Sequence, residues 1–215
     1  IASWRPDLIE RYDLELPATW ADVLDLAAGG FVTVSAFPID VLMHSYMFCA
    51  ALGHDPFILQ DALVPDDVLA SALEEIRRLV ALCDPRCLQR NPILTAEWMT
   101  QADDPRAAYC PFAYGYSNYS RPRYARHLLK AGGLVDFKGS RLRSTLGGAG
   151  IAVSVKTKYA RACMDYARFT ATAETQKGVY FESGGQPGHR SAWTDDHVNA
   201  ASTDFFRDTL QTLDE

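Results

Sequence analysis

The spacing of apolar positions changes several times along the chain, and each change marks an element. From Pro65 to Leu82, residues Leu69, Ala72, Leu73, Ile76, Leu79 and Val80 recur at three- and four-residue intervals, which predicts an amphipathic helix. Asp66 and Asp67 suit its first turn, and Glu74 can pair with Arg78 one turn further along the exposed side. Val23, Leu24, Leu26 and Ala27 predict a second helix, with Thr19 as cap, Asp22 at the third position and Gly29–Gly30 as the stop. "FVTVSAF", Phe31 to Phe37, is β-branched and aromatic and predicts a strand. Pro38 then opens a buried helix, where its missing N–H costs nothing. The apolar run here, Phe37 to Gly53, contains Asp40 and His44 and is shorter than the ~20 residues of a membrane span.

Further on, the pattern predicts a short helix over Ile93–Thr100 and a strand over Ala107–Tyr114, made irregular by Pro111. Gly-interrupted extended segments follow, with a strand at Ile151–Val155. Lys158–Ala171 reads as a helix with Tyr159, Ala162, Cys163, Tyr166 and Phe169 on one face. "ESGGQPGHRSAW" is a turn-rich loop, and Thr203–Leu210 a last short helix. Helices and strands alternate without an internal repeat, which is an α/β pattern.

Composition narrows the function classes. The 215 residues are 48% hydrophobic and 22% charged, ordinary for a globular protein, and suffice for one large domain or two small ones. A net charge of −6 argues against a surface that wraps nucleic acid. It leaves a local basic stretch: Arg121, Arg123, Arg126, Lys130, Lys138, Arg141 and Arg143, with Asp136 the acid among them. That stretch reads as a solvated face or as the seat of an anionic partner. The chain opens on Ile1, with no charged and apolar leader before it, which predicts processing or excision from something longer. Cys49, Cys110 and Cys163 read as small core residues. Cys83 and Cys87 read as structural, or as a local disulfide in an oxidising compartment.

Signals for catalysis are weak. "LGGAGIA" leads into an extended segment, whereas a phosphate loop leads into a helix. His44, His54, His127, His189 and His197 make no metal-ligand pair by spacing. No nucleophile elbow or paired-carboxylate site stands out. The conspicuous feature is "YCPFAYGYSNYSRPRYAR", with Tyr109, Tyr114, Tyr116, Tyr119 and Tyr124. Such faces pack a strand end, stack on the apolar sides of sugars, or attract cations.

Three segments, in order, resemble family 1 extracellular solute-binding proteins of ABC importers, the maltose-binding-protein-like group. "WRPDLIERYDLELPATWADVLDLA" resembles the segment where such proteins leave their first lobe. "PFAYGYSN" resembles their aromatic, small, aromatic, Ser-Asn stretch at a strand-to-helix junction, with tyrosines in place of tryptophans. "STLGGAGIAVSVKTKYARACMDYARFTATAETQKGVYFESGGQPGHR" resembles the Gly-rich return crossing, its helix and the loop back to the cleft.

The resemblance implies an α/β fold of type II periplasmic-binding-protein type, mainly one lobe of a two-lobed protein, with a central sheet flanked by helices. Residues 1–146 would be mainly the second lobe, 147–190 the crossing towards the first, and 191–215 the return. It implies an incomplete chain that captures a sugar-like solute between lobes and delivers it to ABC permease subunits. No catalysis, cofactor or metal is implied, and the place of action is periplasmic or extracellular, as a free monomer or a lipoprotein. Ligand-facing positions implied by it are Tyr114, Tyr116, Asn118 at the opening of a helix, Gly147, Gly148, Gln186, His189 and Arg190, with Asp40 and His44 at the cleft edge. A binding protein for a charged solute and an α/β enzyme remain the other readings.

Overall fold

A computed structural model describes residues 1–56, 63–103 and 106–214. Strand β1 (Ala2–Trp4) is the centre of an antiparallel three-stranded sheet, between β2 (Tyr109–Cys110) and β3 (Lys130–Gly132). Ser3 lies opposite both Cys110 and Ala131, and Trp4 opposite Tyr109 and Lys130. The Trp4 ring crosses the backbone at Gly132, where an added Cβ would sit 3.0 Å from it.

Immediately after β1, Arg5 is 0% exposed and precedes α1 (Pro6–Arg11). Burial of a guanidinium is tolerable only with full pairing. Arg5 donates two hydrogen bonds to the Asp7 carboxylate at 2.7 Å each, and two more to Met99 O at 2.6 Å and Ala102 O at 3.0 Å. It thereby pins β1 to the end of α5 (Pro92–Gln101).

Helix α2 (Trp20–Ala28) begins with the predicted capping box: Thr19 Oγ1 accepts from Asp22 N, and Asp22 accepts from Thr19 N at 2.8 Å. Gly30, at φ 81, ends it in a conformation glycine adopts without strain. Helix α3 (Pro38–Ala51) starts at Pro38 as expected and packs on α4 (Asp66–Leu82). Buried Trp20, Phe48, Phe112 and Phe137 form an aromatic core beneath them, with ring centroids of successive neighbours 4.9 to 6.1 Å apart.

Several expectations need correcting. Phe31–Phe37 forms no full strand; Val32 alone bridges Tyr109, and Ala36 N turns to Cys87 O at 3.0 Å. Its other neighbour is a 3-10 turn, Pro85–Gln89, which offers no ladder. The strand expected over Ala107–Tyr114 is regular only at Tyr109–Cys110: Pro111 has no N–H to continue the ladder, and beyond it Ala113 N alone returns to Ile1 O at 3.0 Å. Ile151–Val155 has no strand partner among the described residues, and Val155 is 99% exposed. Glu74 pairs with Arg77 and Glu75 with Arg78, three residues apart rather than four.

The second half is mostly helical. A tight hairpin joins β4 (Asp136–Phe137) to β5 (Ser140–Arg141) through Lys138 and Gly139, both at positive φ. Then come α6 (Ala160–Ala171), α7 (Ala173–Lys177), α8 (Val179–Glu182), α9 (Arg190–Trp193), α10 (Asp196–Ala201) and α11 (Phe205–Asp214). Thr203 and Asp204 have φ 52 and 61, so the last helix starts after them rather than at Thr203. Phe181, Ala192, Val198, Phe205 and Phe206 form a second core beneath β3. Helix α6 buries none of its side chains, so its predicted apolar face stands in solvent.

Candidate ligand cavity

A cavity of about 430 Å³ opens where four chain segments converge. The first wall is the start of α3, carrying Asp40, Met43 and His44. Pro38 sets this position, since it fixes where the helix can begin. Ser35, just before the helix, organises the wall. Its hydroxyl lies 2.7 Å from Asp40 Oδ2 and 3.0 Å from Arg90 O. Its carbonyl oxygen can only accept, so His44 Nε2 carries a hydrogen and donates to it at 2.9 Å. Burial pushes the His44 pKa down to about 4, against the opposing effect of that hydrogen bond. The ring is therefore neutral at physiological pH. Asp40 is shifted upward by burial, with the Ser35 hydrogen bond opposing.

The second wall runs from Phe112 to Gly115. Tyr114, 47% exposed, presents its ring here, tilted against Tyr116 with centroids 5.2 Å apart. The third wall, Ser144 to Gly147, passes close to that ring; a Cβ at Gly147 would collide with Tyr114 Cε2. The fourth comprises Gln186, Trp193 from α9, and Phe205, Thr209 and Thr212 from α11. Trp193 is oriented by its Nε1 donating to Pro187 O at 2.9 Å and by an edge contact with Phe206.

Gln186 is committed on both ends of its amide. Oε1 accepts from Ser117 N at 2.9 Å, and Nε2 donates to Gly115 O at 3.1 Å. The side chain therefore behaves as a backbone partner for the aromatic segment. Arg121 adds a second tie between the same segments, donating to Gly185 O at 3.2 Å and lying 3.9 Å over the Phe181 ring.

Of the positions singled out in the sequence, Asp40, His44, Tyr114, Gly147 and Gln186 line this cavity together. Tyr116 instead borders a small neighbouring cavity of about 30 Å³, room for about one water. Asn118 opens no regular helix: it lies in a four-residue 3-10 turn, Ser117–Ser120, with Oδ1 buried and unpartnered among the described residues. Gly148 is exposed beyond the rim. His189 caps α9 by accepting from Ser191 N at 3.2 Å. Arg190 forms a surface ion pair with Asp214, tying α9 to the end of α11.

Sequence reading missed Met43, Phe112, Trp193, Thr209 and Thr212. Trp193 carried a signal, a large aromatic at the end of a turn-rich loop. The two threonines carried none, because α11 meets the cavity only through the tertiary fold. Cys83 and Cys87 are free and buried, as are Cys49 and Cys110. No group of three or more metal-ligating side chains occurs among the described residues. The basic stretch is broken up: Arg126 pairs with Asp103, Arg141 with Asp136, and Arg121 turns inward.

No family model matches the chain, and no curated protein matches it by sequence. Solved structures do. The ribitol complex of an ABC transporter solute-binding protein from Agrobacterium radiobacter K84 superposes with a TM-score of 0.78 at 18% identity, over 99% of this chain and 56% of that one. Maltose-bound MalE3 of T. maritima gives 0.74 at 16% identity, over 98% and 57%. UgpB from Mycobacterium tuberculosis, in complex with glycerophosphocholine, gives 0.71 at 15% identity, over 99% and 56%. The chain thus has the type II periplasmic-binding-protein fold of these ABC transporter solute-binding proteins, and it spans a little over half of their length.

Proposed function

We propose that the protein is the substrate-capture subunit of an ABC importer, and that the 430 Å³ cavity forms one side of a cleft for a sugar or similar polyhydroxylated solute. The observation that carries this is the composition of the wall. Aromatic side chains Tyr114, Phe112 and Trp193 stand beside the hydroxyls of Ser144, Thr145 and Thr212 and the carboxylate of Asp40. Rings suit the C–H faces of a sugar, and the polar rim suits its hydroxyls. The volume is within the ~300–1,000 Å³ typical of small-molecule pockets. Ribitol, maltose and glycerophosphocholine are held by proteins of this fold, which supports solute capture while leaving the solute to the wall itself.

On this reading the protein binds without chemistry, passes its solute to permease subunits, and works in the periplasm or outside the cell, free or lipid-anchored. Residues 1–146 act mainly as one lobe, 147–190 cross to the other, and 191–215 return. No described helix is long and apolar enough to cross a membrane. Ligand closure by hinge motion would bring a second wall over Tyr114. The test is a thermal-shift panel of sugars and polyols on the full-length protein. A rise in melting temperature with one of them, lost in Tyr114→Ala, supports the reading. A panel that moves nothing contradicts it.

A further inference from the structure

We propose that the solute carries a protonated amine on its polyhydroxylated skeleton, and that Asp40 receives it. This rests on the solute-capture reading above and names the class of solute.

Charge in the cavity is one-sided. Among the described side chains that line it, Asp40 alone is a charged type other than the neutral His44, and no lysine or arginine joins them. His44 is not the counter-charge: burial keeps its ring neutral at pH 7, and its Nε2 hydrogen goes to Ser35 O. The terminal nitrogen of Ile1, also at the wall, donates to Ala113 O at 3.1 Å, and burial lowers its pKa to about 6, so it supplies no counter-charge at pH 7. The carboxylate pairs with no cation among the described residues.

Hydrogen bonding around Asp40 is short by one donor. Ser35 has one hydroxyl hydrogen and two acceptors in range, Asp40 Oδ2 at 2.7 Å and Arg90 O at 3.0 Å. It serves one at a time. Whichever it leaves lacks that partner, and Arg90 O is enclosed by the fold whereas Asp40 faces the cavity. An ammonium from the solute supplies the missing donor and the missing charge together. The rings of Tyr114 and Trp193 in the same wall favour a cation as well. Along the described wall, an acidic or phosphorylated solute meets the opposite: a carboxylate and no basic side chain.

Two matched sets of solutes test this on the full-length protein by calorimetry or competition at pH 7: glucitol, 1-amino-1-deoxyglucitol and gluconate, and glucose, glucosamine and glucuronate. The expected order within at least one set is amine, then neutral parent, then acid, with the amine ahead by about tenfold. Asp40→Asn should shrink that lead to about twofold or less, with folding checked by its melting curve. Neutral parents that bind as tightly as their amines in both sets, or an amine lead that survives Asp40→Asn, overturn this inference and leave solute capture standing. Failure of every member of both sets to bind overturns the inference together with the reading beneath it.

Discussion

The carboxamide of Gln186 grips the backbone at Ser117: Oε1 accepts from Ser117 N at 2.9 Å while Nε2 donates to Gly115 O at 3.1 Å. The loop before α9 thereby holds the aromatic segment as a neighbouring strand would. Gln186 borders the cavity, yet both ends of its amide are already held by the backbone. Gln186→Ala should cost about 1–3 kcal/mol in urea unfolding, because it strands the Ser117 amide. It should also weaken solute binding through loss of Tyr114 positioning. Unchanged stability and unchanged affinity would show that the clamp positions nothing.

Gly147 and Tyr114 are packed so closely that any side chain at 147 must displace the ring. Gly147→Ala is therefore expected to lower solute affinity with little change in stability, since both positions are largely open to solvent. In a Tyr114→Ala background the same change should do nothing more. Additive losses of affinity in that double-mutant cycle would place the effect of Gly147 elsewhere.

The buried His44 ring makes stability depend on pH. Its pKa in the folded protein, about 4, lies below the ordinary 6.5. The unfolded chain therefore takes up the proton first as pH falls. The stabilisation tied to the neutral ring is complete above pH 6.5 and is lost on the way down to pH 4. Wild type should lose about 3 kcal/mol more than His44→Gln between pH 7 and pH 4, read by urea unfolding at each pH. Parallel pH profiles would mean that the histidine titrates in the fold as it does in the unfolded chain.

Arg5 is the largest buried polar commitment of the first half. Arg5→Met should destabilise by about 3–5 kcal/mol, since Met99 O and Ala102 O lose their donor inside the protein and Asp7 loses its partner. Arg5→Lys should also be costly, because one ammonium cannot span two carbonyls and a carboxylate. Asp7→Asn should be costly as well, because it leaves the fully buried Arg5 guanidinium without its counter-charge while both carbonyls stay paired. Melting temperatures of the three variants give the order directly.

Local devices were legible in the sequence. The Thr19–Asp22 capping box, the Gly30 stop, Pro38 at the head of α3 and the amphipathic run of α4 each depend on residues within a turn of one another. The overall fold was legible through three ordered motifs rather than through periodicity, and the structural likeness bears it out. Pairing was not legible. Phe31–Phe37 has the composition of a strand but meets a 3-10 turn on one side, so only Val32 bridges. Helix α6 has an apolar stripe by spacing, yet Tyr159, Tyr166 and Phe169 all remain exposed, because amphipathicity does not name the surface that covers it. At the cavity, Asp40, His44, Tyr114, Gly147 and Gln186 could be named in advance. Thr209 and Thr212 could not, because their approach depends on where α11 docks.

The central claim is that a solute lies against the Tyr114 wall. Calorimetric titration of the full-length protein with the solute that raises its melting temperature, repeated on Tyr114→Ala, tests it most directly. Loss of the stacked ring should weaken binding by about tenfold, roughly the worth of one aromatic contact, with the melting temperature of the unliganded protein unchanged. Equal affinities in the two proteins would place the solute somewhere other than this cavity.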